Sequence, residues 1–163
     1  MPVYLFTLHA YRSWRADNPR GYIQHGKPGI QPPQPRLAAH RESIAKHPAV
    51  VFNKHQRSAL IRSAIEIAGH RDWDLNAIAV TTTHVHMLVS WSDQADERHV
   101  CTALKRLLGL SLSRDVGSTG HRWFARGRDA KRIADRKHFD HLVNTYLPKH
   151  KEQGGDFWAS HTQ

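Results

Sequence analysis

Strand and helix signals follow one another along the chain as strand, helix, strand, strand, helix, strand, helix, which predicts an α+β fold of the split βαβ pattern. Three observations carry this. Leu60, Ile61, Ala64, Ile65 and Ala68 recur at helical spacing. Two apolar runs then follow, from Trp73 to Val80 and from His84 to Trp91, with only Thr81 to Thr83 between them, so they read as an antiparallel hairpin. A second helical stripe, Val100, Leu104, Leu107, Leu108 and Ser111, comes after the hairpin.

The first strand is Val3 to Leu8, a short apolar run with a β-branched start. Beyond it, aromatics and arginines alternate from Tyr11 to Arg15. Aromatic faces stack on bases while guanidinium groups hold phosphates, so Arg12 and Trp14 are candidate nucleic-acid contacts. A strand end capped by a core tryptophan gives the same pattern. From Asn18 to Arg36 the periodicity vanishes among six prolines and glycines at 19, 21, 26, 28, 29 and 32, followed by Pro33 and Pro35. Such a density predicts a long irregular loop or arm. The first long helix spans Asn53 to Gly69, with Asn53 as its N-cap and Gly69 as its stop.

In the hairpin's second arm, Val85, Met87, Leu88 and Val89 are joined by His84 and His86. The two-residue period of a strand sends both imidazoles to one face and Val85 to the other. Two nitrogen donors on one rigid support suit a divalent ion with open coordination positions, completed by a residue from elsewhere. Ordinary polar residues on a half-exposed strand show the same alternation.

In the second long helix, Arg98, Lys105, Arg106 and Arg114 lie mostly off the apolar face, and Cys101 falls in the packing pattern. Gly117 to Gly120 is a loop. The densest basic stretch is His121 to His138, where Arg122, Arg126, Arg128, Lys131, Arg132, Arg136 and Lys137 surround Trp123 and Phe124. Its start is a candidate fourth strand. It reads either as a phosphate-binding surface with stacking aromatics or as a solvated face beside two core aromatics; the scarcity of acidic neighbours favours the first. The last helix runs from about Asp135 to Leu147. Phe139, Leu142, Val143 and Tyr146 stand at i, i+3, i+4 and i+7, which places Tyr146 in the buried stripe. Pro148 would clash with the Asn144 carbonyl if the helix continued, so the helix must end, kink or restart. After Gly154 and Gly155, the tail from Phe157 to Gln163 reads as a docked aromatic and a frayed end.

The charge balance narrows the partners. Over 163 residues, 24 Lys and Arg against 14 Asp and Glu give a formal +10 and a sequence pI near 10.3. Such an excess favours polyanions through counterion release, and nucleic acid leads. Hydrophobic residues at 39% and charged residues at 23% describe a soluble globular chain, one domain by length. No apolar run approaches the roughly 20 residues that span a bilayer, and no signal peptide opens the chain, so a cytoplasmic protein is expected. One cysteine excludes an internal disulfide and a multi-cysteine zinc site.

The order of these features resembles the single-tyrosine HUH transposases, the small enzymes of the simplest insertion sequences, and their REP-associated relatives. The runs THVHMLV and HLVNTYLPKH carry the likeness: a strand with His84-Val85-His86, a helix, a basic segment, then a helix ending in Tyr146 with His150 four residues on. The resemblance spans nearly the whole chain. It implies a ferredoxin-like sandwich, a mainly antiparallel sheet with helices packed on one face. It implies metal-dependent cleavage and rejoining of single-stranded DNA at hairpin-containing ends, through a 5′-phosphotyrosine that conserves the phosphodiester energy. Tyr146 is then the nucleophile, and His84 and His86 hold magnesium or manganese. Family members often carry Gln or Asn one helical turn after the tyrosine; His150 stands there instead, with Gln153 as the fallback if Pro148 bends the chain. Three nitrogen ligands would favour manganese or another transition metal over magnesium. Lys105, Arg122, Arg126, Arg128, Lys131 and Arg132 join Arg12 and Trp14 as expected DNA contacts. Relatives act as dimers or monomers, and a homodimer is one expectation. A catalytically silent binder of single-stranded or hairpin nucleic acid on the same fold is the alternative, and a phosphodiesterase using activated water is a third reading.

Overall fold

The computed structural model describes residues 1–24 and 26–160. Strand β1 (Val3–His9) opens the chain, followed by a small antiparallel hairpin of β2 (Tyr22–Ile23) and β3 (Ile30–Gln31) and a helix α1 (Pro35–Ser43). The predicted irregular arm is therefore corrected: it holds a two-stranded ribbon and ends in a helix. Pro35 occupies the first helical turn, where its missing N–H is not needed and its fixed φ suits the helix, so this proline starts regular structure instead of forbidding it.

Helix α2 (Lys54–His70) begins at Asn53 through a reciprocal box. The Gln56 backbone N–H donates to the Asn53 side chain at 2.9 Å, and the Asn53 N–H donates to the Gln56 side chain at 3.0 Å. Strands β4 (Trp73–Val80) and β5 (His84–Trp91) form the expected antiparallel hairpin, and α3 (Glu97–Asp115) follows, capped by Asp96. Strand β6 (Ala130–Arg132), helix α4 (Arg136–His141), a π-helical turn (Leu142–Tyr146), helix α5 (Lys149–Glu152) and strand β7 (Asp156–Ala159) complete the order.

The main sheet has five antiparallel strands in the order β6-β1-β5-β4-β7, giving the α+β sandwich that the sequence predicts. On one face, Phe6, Leu8, Ile78, Val80, Val85 and Met87 pack against Leu60 and Ala64 of α2 and Leu104 and Leu108 of α3. On the other, Leu5, Ala77, Ala79 and Leu88 meet Leu142, Val143 and Leu147. The two long helices thus share one face, and the short C-terminal helical segment covers part of the other, which corrects the expectation that the helices all pack on one face.

Two further expectations change. The fourth strand lies at Ala130–Arg132, pairing with β1, and not at the start of the basic stretch. There Phe124 makes only a single bridge to Ala10, and Trp123 and Phe124 are buried in the core. They are therefore not stacking surfaces: the Trp123 indole N–H donates to the Ser113 hydroxyl of α3 at 2.8 Å, and the Phe124 ring lies 5.9 Å from that of Phe52. The tail from Phe157 is a true strand as far as Ala159, pairing Ile78 with Trp158, while residues 161–163 lie outside the described residues. The outer edge of β4 offers unpaired backbone groups that a neighbouring strand satisfies. Four residues are too few to show that periodicity in the sequence.

Candidate active site

His84 and His86 leave β5 on the face opposite α2 and α3, the parity set by Val85 and Met87 pointing into that larger core. Their rings lie 4.6 Å apart, centroid to centroid. The antiparallel register sets His86 opposite Thr7 and His84 opposite His9 on β1. The Thr7 hydroxyl is hydrogen-bonded to His86 Nδ1 at 3.0 Å. The Thr81 and Thr83 hydroxyls both reach His84 Nδ1 at 3.1 Å. With each Nδ1 engaged, each Nε2 remains as the donor atom directed away from its partner, the arrangement that orients imidazoles around a metal.

The last helix supplies the rest. At Leu142–Tyr146 it widens to a π turn, with the Leu147 N–H donating to the Leu142 carbonyl at 3.0 Å across five residues. Pro148 accounts for this: it offers no N–H to the preceding turn, and its ring needs room near the Asn144 carbonyl, which the wider turn gives. The helix restarts as α5, so of the three outcomes left open at Pro148 it takes the restart. The extra residue in the turn also rotates Tyr146 out of the apolar stripe. The predicted burial of Tyr146 is corrected: the residue is 39% exposed, and fully buried Leu147 takes its place in the core.

The restart brings His150 inward. It is buried, and its Nδ1–H donates to the Leu147 carbonyl at 3.2 Å, which leaves a lone pair on Nε2. Its ring stands 4.8 Å from His86 and 5.9 Å from His84. Tyr146 lies 5.2 Å from His150 and 5.7 Å from His86, ring to ring. Gln153, the fallback, sits exposed at the end of α5. Four residues from two distant stretches of chain are thus brought together on one face of the sheet.

Burial pushes His84 down to about 4, helped by the neighbouring His150 and His9, and His86 down to about 3, helped by His84. Both are uncharged at neutral pH and present lone pairs. One nitrogen from each of His84, His86 and His150 lies within 4.8 Å of the others. A divalent ion binds imidazole nitrogens at roughly 2.0–2.1 Å, which caps any two at about 4.2 Å apart, so a set this close and oriented from behind fits one with a small closure of its widest pair. A donor set of imidazoles without a carboxylate suits transition metals better than magnesium.

Sequence reasoning missed the supporting residues. Thr7, Thr81 and Thr83 hold the imidazoles, and His9 lies 6.1 Å from the His84 ring, its own pKa lowered by burial despite Asp129 at 4.0 Å. The period of β1 puts Thr7 and His9 on one face. Only the register with β5 shows that it is the histidine face.

The expected DNA contacts divide. Arg12 is ion-paired with Glu42 and donates to the His47 carbonyl at 3.0 Å, and Lys105 donates to the carbonyls of Ala125 and Gly127 at 2.8 and 2.6 Å. Both cations help hold loops in place. Trp14 is half-exposed, its indole N–H bonded to the Gly21 carbonyl. Arg122, Arg126, Lys131 and Arg132 are exposed, and Arg128 is exposed but paired with Glu97 at 3.3 Å. No described helix is long and apolar enough to cross a membrane.

No family model matches the sequence, and no curated protein matches it. Among solved structures, one of a REP-associated tyrosine transposase bound to a REP hairpin is similar, with a TM-score of 0.54 over 94% of this chain and 68% of that one, at 14% identity. At that identity the likeness establishes a shared α+β fold.

Proposed function

We propose that the chain cleaves and rejoins single-stranded DNA next to hairpins, with Tyr146 as the nucleophile and His84, His86 and His150 holding a divalent metal, manganese in preference to magnesium. The observation that carries the reading is the placement of an accessible phenol beside a cluster of three oriented imidazoles, two of them buried and one half-buried. The excess of 24 cations over 14 acidic residues supports a polyanionic substrate, and the hairpin-bound transposase of the same fold supports its class.

In this reading the Tyr146 oxygen attacks phosphorus, a Tyr–O–P bond forms, and the P–O3′ bond breaks. The phenol proton passes to solvent, and the departing oxygen takes one up as a 3′ hydroxyl. The bound metal would supply charge for the growing negative charge on the phosphate oxygens. The exposure of Tyr146 admits a strand from solvent, while buried Leu147 next to it anchors the turn that carries it. Thr7, Thr81 and Thr83 keep the imidazoles in place without adding charge.

The test is a covalent adduct. With labelled single-stranded oligonucleotides bearing terminal hairpins and manganese, the native chain is expected to give a protein–DNA species stable to denaturant. Tyr146→Phe is expected to abolish it, lowering cleavage by three orders of magnitude or more, on the order of what removal of an activated nucleophile costs. Cleavage that persists in Tyr146→Phe would assign the chemistry to activated water, and hairpin binding without any adduct would leave a silent binder.

A further inference from the structure

A cleft lined by cations lies outside the histidine cluster. Of about 590 Å³, it opens between the end of α1 with the turn after it and the segment that precedes β6. Arg41, Lys46, Arg122 and Arg126 line it and are exposed, and no acidic residue lines it. The nearest carboxylate, Glu42, is already paired with Arg12 and Arg15. Four exposed cations therefore face one concavity without a counter-charge.

Two rings line the cleft beside the cations: Tyr11 and His47 stand 6.3 Å apart, and the Arg122 guanidinium lies 5.4 Å over Tyr11. Cations beside ring faces are the combination that grips phosphates and bases of an unpaired strand. The cleft's volume falls among the roughly 300–1,000 Å³ of pockets that take groups of nucleotide size.

The cleft is tied to the histidine site. The Ala10 N–H donates to the Thr83 carbonyl at 2.8 Å, and the Thr83 hydroxyl holds His84. The Tyr11 N–H donates to the Trp123 carbonyl at 2.8 Å, and the Val50 N–H to the Tyr11 carbonyl at 2.9 Å. Tyr11 follows His9 by two residues, at most about 7 Å of chain. We propose that this cleft grips the phosphodiester backbone of the unpaired strand on the flank of the segment lying at the histidine–tyrosine centre. The proposal rests on the DNA-strand reading above and adds a second point of hold to it.

The experiment measures binding of the full chain, in chelator to prevent cleavage, by fluorescence anisotropy over a range of salt. The probes are a single strand of about 16 nucleotides, the upper end of site sizes for one single-strand module, and a blunt duplex of equal length. Arg41→Ala with Arg126→Ala is expected to weaken single-strand binding about tenfold and to lower the salt slope by about 1.4, two phosphate contacts at about 0.7 each. Arg62→Ala with Arg71→Ala, an equal charge change on α2 and the residue that caps its end, is expected to weaken it far less. Arg41→Lys with Arg126→Lys is expected to restore most of the affinity, which a folding defect would not allow. If the cleft pair weakens binding no more than the α2 pair, or weakens the duplex as much as the single strand, the proposal is overturned while the tyrosine chemistry stands. A native chain that binds neither probe overturns both readings.

Discussion

The two faces of the sheet are cut from the same strands yet built to different ends. Toward α2 and α3 the strands present Phe6, Leu8, Ile78, Val80, Val85, Met87 and Trp91, large side chains that fill the space under two long helices. Toward the C-terminal segment they present Leu5 and Leu88 beside the small Ala77, Ala79 and Ala159, with Thr7, His84 and His86 at one end. Small side chains let a short, interrupted helical segment lie close to the sheet, and the interruption is what turns Tyr146 outward and His150 inward. One face carries stability, and the other carries the candidate chemistry.

Substitutions of similar burial on the two faces should separate those roles. Leu108→Ala, on the fully buried side of α3, is expected to cost about 2–5 kcal/mol by lost transfer energy and the cavity left behind, read as a lower Tm with and without metal. His86→Ala is expected to cost only about 1 kcal/mol of stability for its hydrogen bond to Thr7, while removing the rise in Tm that manganese gives the native chain. Equal manganese-dependent rises in the native chain and in His86→Ala would break the division between faces.

Gly155 links the two regions. A Cβ there would lie 2.6 Å from the Val80 carbonyl oxygen and 2.8 Å from that of His150, both backbone atoms. Gly155→Ala must therefore push β4 and the end of α5 apart, at about 1–3 kcal/mol for overpacking. Because His150 moves with α5, manganese affinity is expected to fall more than it does for an alanine substitution in the larger core, as isothermal titration would show.

The metal-free chain should also show a pH dependence. In the unfolded chain both imidazoles take up protons below about 6.5. In the folded chain His84 does so only near about 4 and His86 near about 3, so between these limits the unfolded state binds more protons. Stability is therefore fully present above about 6.5 and falls as the pH is lowered through that window. Chemical denaturation of native chain and His86→Ala across this range is expected to show the shallower decline in the variant; identical profiles would mean that His86 does not contribute.

Much of this was legible in the sequence because it is local. The Asn53 cap, the helical stripe of α2, the Trp73–Val80 boundary and the shared face of His84 and His86 follow from periodicities that a window of residues contains. The doubt at Pro148 was also legible, since a proline's missing donor is a property of the residue itself. Trp123 and Phe124 misled because aromatics among arginines look alike whether they face water or a strand end. Strand β7 escaped notice because its four residues gain their meaning from the open edge of β4.

By itself the sequence determined the long elements, the basic charge and the residue types able to bind a metal and attack a phosphate, all set by side-chain chemistry and spacing along the chain. Only the tertiary structure decided that His150 joins His84 and His86, that Thr7 and His9 stand beside them, and that Tyr146 reaches solvent. Those outcomes depend on strand register and on a π turn fitted around Pro148. Both are fixed by packing between residues far apart in sequence, where no local period reports.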